Sequence, residues 1–187
     1  RVRQYFAWLL LLETSILGVF SSLDLLLFFV FWEIEIIPMY FLISIWGSGR
    51  KEYSAMKYVI YTLLGSAFML AGILSLYFTT GSLDMVELSQ KGLGMVPTIM
   101  PAAAMFFLLI IGFAIKLPVV PLHTWLPDAH TDAPTAGSVM LAGALIKMGG
   151  YGMIRVGVSI FPQVAKDYAP LLVTLAVISV LYGAAVT

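Results

Sequence analysis

Three ionisable residues stand inside apolar runs, where charge is most costly. They are Glu33 in "FFVFWEIEIIPMYFLISIWG", Lys116 in "GFAIKLPVVPLHTWLPDAH" and Lys147 in "LAGALIKMGGYGMIRV". A carboxylate and an ammonium that meet away from water can pass a proton between them, so these residues are candidates for proton or ion transfer. Glu33 lies nine residues past Asp24, about 14 Å along a helix at ~1.5 Å per residue. Lys147 lies twelve residues past Thr135, about 18 Å along its helix. In a hydrocarbon core about 30 Å thick, both depths fall near the midplane. Each uncompensated charge there costs about 2.5–3.5 kcal/mol. Three would cost roughly 8–10 kcal/mol, comparable with the stability of a whole domain. Such residues are tolerated where they face a bundle interior, pair with one another or touch water. A structural ion pair that only fixes helix packing is the bland reading; a proton or ion path is the preferred one.

The surroundings of each residue sharpen this. Lys147 has Gly143, Ala144, Gly150 and Tyr151 at helical spacing, and small residues mark a face packed on another helix rather than on lipid. Lys116 precedes Pro118 and Pro121. Proline removes a backbone donor and clashes with the preceding turn, so this helix should break inside the membrane. Broken helices are tolerated at membrane depth where they are buried in protein or line a wet cavity, and they recur at transporter ion sites. A lysine ending the first half-helix also suits the negative end of its dipole. Glu33 is the expected counter-charge. Glu35 is two residues away, roughly 200° round a regular helix, so it is expected to face another helix or a neighbouring chain. Glu13 lies mid-span. Lys57 sits near a helix end, where its head can snorkel to the interface. His123, close to the break, can carry a proton near neutral pH or serve a structural bond. His130, Asp128 and Asp132 are expected to cap the next helix or to form the mouth of an aqueous path, with capping preferred.

The elements that must position these groups follow from composition. Of 187 residues, 61% are hydrophobic and 11% charged, against about 25% charged in soluble domains. The chain is therefore expected to be all-α, a polytopic transmembrane helix bundle with one discontinuous helix. Net charge is zero, which gives no support for nucleic acid as a partner. The absence of cysteine excludes disulfides and thiolate-held metals within the chain, and two histidines are little material for a metal site. About 20 apolar residues span a bilayer, which predicts six helices in one transmembrane domain covering 1–187: 5–20, 25–46, 53–79, 99–128 broken near 117–121, 135–156 and 168–187. "SSLD" acts as turn and cap before the second span, and Gly81–Pro97 reads as a polar connection. Arg1, Arg3, Arg50, Lys51 and Lys57 fall on one side, expected to be cytoplasmic, against Lys91, Arg155 and Lys166 on the other. Starting at Arg1 and stopping inside an apolar run at Thr187, the sequence reads as a piece of a longer chain.

The two long stretches around Glu33 and from Gly112 to Val156 resemble the M-type antiporter-like membrane subunit of proton-pumping NADH:quinone oxidoreductase, respiratory complex I, over the whole chain. The family is similar to subunits of multisubunit cation/proton antiporters. The resemblance implies an inverted-repeat fold in which each repeat carries one broken helix, with this chain in the first repeat. It implies that Glu33, in the "FWE" motif, pairs with Lys116 of the broken helix, and that Lys147 of "LIKMGGYG" continues a hydrophilic axis along the midplane. Proton translocation through Glu33, Lys116 and Lys147, with His123, Glu13 and Lys57 as further candidates, is then the expected activity. The oxidoreductase chemistry is carried by other chains. No cofactor, flavin, iron–sulfur cluster or metal is expected here. The expected partners are the other membrane subunits of the complex, neighbouring antiporter-like subunits included, in a bacterial plasma membrane or an organellar energy-coupling membrane. A Na⁺/H⁺ antiporter subunit and a purely structural scaffold stay open beside this reading.

Overall fold

Two copies of the tripeptide Ser-Leu-Asp, at 22–24 and 82–84, start two helices and tie them together. Asp24 accepts from the Leu26 and Leu27 amides, each at 2.9 Å. Asp84 does the same for Val86 and Glu87 at 2.7 and 3.0 Å. These bonds satisfy amides that have no partner within the helix. The two caps then pair: Leu25 N–H donates to Leu83 O at 2.9 Å and Met85 N–H to Leu23 O at 2.8 Å. This bridge is the extent of β pairing among the described residues.

The computed structural model describes residues 2–91 and 99–186. Arg1, Thr187 and residues 92–98, which complete the Gly81–Pro97 connection, lie outside the described residues. In order, the helices are α1 (Val2–Ser21), α2 (Leu25–Ile34), α3 (Ile36–Trp46), α4 (Lys51–Thr80), α5 (Met85–Lys91), α6 (Ala102–Lys116), α7 (Trp125–Asp132), α8 (Thr135–Met140), α9 (Ile146–Gly152), α10 (Pro162–Asp167) and α11 (Ala169–Val186). Two π-helical stretches, Leu141–Leu145 and Met153–Val158, join α8 to α9 and extend α9. Helical structure is thus nearly continuous from Thr135 to Val158. Among the described residues, five helical segments are long and apolar enough to cross a membrane: Val2–Ser21, Leu25–Trp46, Lys51–Thr80, Thr135–Val158 and Ala169–Val186. The protein is an all-α, multi-pass membrane bundle. Its outer face carries large apolar side chains such as Leu17, Ile60, Leu64 and Phe78, as expected where lipid replaces water.

The core sits where α4 runs along α6. Small residues allow the approach: a Cβ on Gly112 would lie 2.8 Å from Gly65 O, and one on Gly72 would lie 2.8 Å from Leu109 Cγ. α4 ends at Gly81, whose φ of 72° is left-handed and closes the helix through a 2.7 Å bond to Tyr77 O.

Two breaks matter for the site. The span 25–46, expected as one helix, is interrupted at Glu35. Pro38 supplies the reason: it has no N–H for Ile34 O, and its ring crowds the carbonyl four residues back. The bonds flanking the joint are correspondingly long, Glu35 N to Phe31 O at 3.4 Å and Met39 N to Glu35 O at 3.3 Å. The second break follows Lys116. Its freed backbone groups are recovered across the fold: Trp125 Nε1 donates to Ile115 O at 2.8 Å, and Val120 N–H donates to Ser179 Oγ of α11 at 3.1 Å. The first half, α6, has 15 residues, about 22 Å of helix, which is too short to cross the hydrocarbon alone.

Candidate functional site

Lys116 ends α6, Glu35 stands at the α2–α3 joint, and Tyr58 lies two turns into α4. These three elements bring their side chains together in the core, where Lys116 is 1% exposed and Glu35 and Tyr58 are 0%. Lys116 Nζ donates to Glu35 Oε1 in a buried ion pair. The Tyr58 hydroxyl donates to Glu35 Oε2 at 2.9 Å, and Lys116 Nζ lies 3.4 Å from the Tyr58 oxygen. The ammonium also faces the rings of Trp32 at 5.6 Å and Tyr58 at 5.4 Å, which attract a cation through their negative faces. Phe28, Phe113 and Trp125 pack round those rings. One ammonium is therefore enclosed by one carboxylate, one phenol and an aromatic wall. Counted from its capped end, Glu35 is about 16 Å into the helix, and Tyr58 is about 10 Å from the start of α4 at the opposite end. The pair is thus deep in the bilayer from both sides.

The pairing differs from the expected one. Lys116 meets Glu35, not Glu33, because Glu35 lies on the buried stripe of its span with Phe28, Trp32, Met39 and Leu42 at regular helical spacing, while Glu33 lies off it. Glu33 is half-buried. Its Oε1 makes no hydrogen bond among the described residues. It is the carboxylate in the lining of an open cavity of about 560 Å³, otherwise lined by apolar and aromatic side chains including Ile37, Tyr40, Met56 and Leu63. The two carboxylates of this span therefore have different settings, Glu35 sealed in the core on Lys116 and Glu33 facing the cavity.

Lys147 stands apart. It is exposed on this chain and folds back on its own helix, donating to Ala142 O in the first π-helical stretch. Of the expected packing face, Ala144 and Tyr151 pack on the core and a Cβ on Gly150 would meet Leu117 Cδ1 at 3.8 Å, whereas one on Gly143 would meet nothing within 4 Å. The stripe that packs is Gly149 and Gly152, where a Cβ would lie 2.7 Å from Phe113 O and 2.5 Å from the Phe113 ring. Lys147 is two residues from Gly149 and so points off that stripe. Glu13 is likewise exposed, on the outer face of α1. His123, within the break, sets its ring edge-on to Tyr182 of α11 at 4.8 Å, and its buried Nδ1 makes no hydrogen bond among the described residues.

The residues expected to snorkel or cap form a second polar cluster, between the N-terminal half of α4 and α7. Lys57 pairs with Asp128 at 2.7 Å, Arg50 approaches the same carboxylate at 3.9 Å, and Ser54 Oγ donates to Asp132 at 2.5 Å. Ser48 N–H donates to Asp132 O at 2.8 Å. Gly49 has a φ of 58°, and a Cβ there would meet Asp132 Oδ1 at 2.5 Å. Tyr61 and Thr124 share a 2.7 Å hydrogen bond one turn deeper. Neither aspartate caps the next helix, which follows Pro134 with no side-chain cap bond; His130 is exposed and accepts from Ser138 only through its backbone carbonyl. The Lys57 and Asp128 side chains are 20% and 27% exposed, so Asp128→Asn should change thermal stability by no more than about 1 kcal/mol. A detergent unfolding curve of the full-length protein checks this; a larger loss would show that the cluster holds α7 in place.

The class of protein is thus a multi-pass helical membrane bundle with an interrupted helix and a buried carboxylate–lysine pair. The family described as "NADH:quinone oxidoreductase/Mrp antiporter, TM" matches residues 22–187, and the chain belongs to it. It is 46% identical over 184 residues to the NAD(P)H-quinone oxidoreductase chain 4 1 of Synechococcus sp. (strain JA-2-3B'a(2-13)), covering 97% of this chain and 34% of that protein. It is 40% identical over 185 residues to the NADH-quinone oxidoreductase subunit M of Rickettsia prowazekii (strain Madrid E), covering 99% and 37%. Among solved structures, a chain of the respiratory complex I from Thermus thermophilus with bound NADH superposes with a TM-score of 0.85 at 32% identity, covering 96% of this chain and 38% of that one. The chain spans about a third of the length of these curated relatives.

Proposed function

We propose that this chain belongs to the first repeat of an M-type antiporter-like membrane subunit of NADH:quinone oxidoreductase, and that it moves protons while quinone is reduced elsewhere in the complex. The observation that carries the reading is the Lys116–Glu35 pair sealed in the core beside a helix break. A structural role alone is poorly served by such a pair, because well-packed apolar residues hold helices at least as well. In this reading Lys116 is the pump-site lysine and Glu35 its resting partner. Glu33, facing the cavity, is the coupling gate: its approach or retreat changes how firmly Lys116 keeps its proton, driven by a neighbouring subunit. Lys147 relays the proton along the midplane toward the rest of the full-length protein, which covers its exposed face. Lys57 and His123 lie on the entry side of the pair, and Glu13 faces outward toward neighbouring subunits. The chain itself carries no cofactor. The partners are the other membrane subunits of the complex, and the location is a bacterial plasma membrane or an organellar energy-coupling membrane.

The test uses inverted membrane vesicles containing the full-length subunit in its complex. Oxidation of the electron donor with quinone as acceptor should acidify the interior without added sodium. The family also includes Mrp antiporters, so a Na⁺/H⁺ exchange role is the competing reading. Sodium-dependent exchange, with no soluble redox subunits co-purifying, would establish it instead.

A further inference from the structure

We propose that the Tyr58 hydroxyl is the positioning group that fixes Glu35, rather than Glu33, as the resting partner of Lys116. This rests on the proton-transfer reading above. A carboxylate with one oxygen bound can still rotate about its terminal torsion, which is broad for a glutamate. Glu35 has both oxygens engaged by different donors, Lys116 Nζ at Oε1 and the Tyr58 hydroxyl at Oε2. Glu33 Oε1 has no such donor. The two carboxylates therefore differ in one respect that a proton device can use: Glu35 has both oxygens bound by donors, whereas Glu33 leaves Oε1 unbound.

The placement of Tyr58 fits this role. Its ring is entirely buried and packs on Trp125, 5.5 Å between centroids, at the far side of the helix break. A hydroxyl buried without a partner would cost free energy, so phenylalanine would serve better if packing alone were required. Tyr58 lies on the buried stripe of α4 with Ser54, Ala55 and Thr62. The same stripe thus carries Ser54, which holds Asp132 of α7, and Tyr58, which holds Glu35. α4 links the polar cluster at the bundle end to the buried pair through adjacent turns of one rigid helix.

Tyr58 touches the ion pair without being the site of proton exchange, so its test needs a readout that packing would not move. In the full-length subunit within its complex, Tyr58→Phe keeps the ring and deletes the donor. Deleting a hydrogen bond to a charged group should cut proton translocation about tenfold or more. It should also shift the infrared carboxylate stretch assigned to Glu35 by its loss in Glu35→Gln. A ring-fluorinated tyrosine at position 58 keeps the shape and is a stronger donor. It should preserve translocation and shift the same band in the opposite sense. Wild-type translocation in Tyr58→Phe, or an unmoved Glu35 band, overturns the proposal. If Tyr58→Phe fails to assemble, an unmoved band in the fluorinated protein overturns it alone. Lys116→Ala, measured in parallel, separates the two ideas: normal pumping there sinks the proton-transfer reading, whereas the band still decides whether Tyr58 positions Glu35.

Discussion

Lys116→Ala and Glu35→Ala should each abolish proton translocation and lower the stability of the bundle by about 3–5 kcal/mol, because each leaves its partner as an uncompensated charge in a dry core. The pair is 1% and 0% exposed, so water cannot stand in for the missing group. The double replacement, Glu35→Leu with Lys116→Met, should behave differently. It removes both charges and fills their space with apolar atoms, so stability should return to near the wild-type value. Translocation should stay at zero. The two readouts move apart, and that separation is the signature of a charge pair retained for function. Thermal unfolding in detergent gives the first and vesicle acidification the second. Coupled pumping in Lys116→Ala, or a double variant no more stable than the singles, would remove the pair from the mechanism.

The second large effect is expected at a position with no polar atom of its own. A methyl group on Gly149 would lie 2.7 Å from both Leu117 N and Phe113 O. These two atoms form the last helical hydrogen bond of α6, at 2.8 Å, around Lys116 itself. Neither belongs to a flexible side-chain end, so Gly149→Ala must push α9 away from α6 or spoil that bond. Overpacking of this kind costs about 1–3 kcal/mol. It should also loosen the seat of Lys116 and depress translocation, although Gly149 carries no charge. Gly137→Ala is the control: a Cβ there would come no closer than 3.4 Å, to the Pro134 ring, so it should be neutral for both readouts. Equal behaviour of the two variants would contradict the close packing of α9 on the break.

Hydropathy and the position of the prolines were enough to read the spans and the interruption after Lys116, because both signals are local. Proline acts on the carbonyl four residues back, and lipid selects apolar runs residue by residue. The partner of Lys116 was not legible in that way. Counting 100° per residue turned Glu35 away from Glu33 and toward another helix, as found, but it could not say which of the two glutamates faces Lys116, because that depends on which side of the span packs inward. Tyr58 was passed over for a similar reason. A tyrosine in "KYVIYTLL" is unremarkable until α4 is laid against the α2–α3 joint.

The sequence by itself determined that this is an all-helical membrane chain carrying charges of both signs at mid-membrane depth, because composition, cap residues and helical rise need no knowledge of neighbours. Only the tertiary structure decided which charges meet. Glu35 and Lys116 are 81 positions apart, and Glu33 and Lys147 differ from them mainly in the direction their helix faces. That direction is fixed by packing: by Gly65 against Gly112, by Gly149 against the end of α6, and by the buried stripe of Phe28, Trp32 and Met39 that carries Glu35 inward. A rotation of one residue about a helix axis separates a sealed ion pair from a side chain on the outer surface, and no local rule sets that rotation.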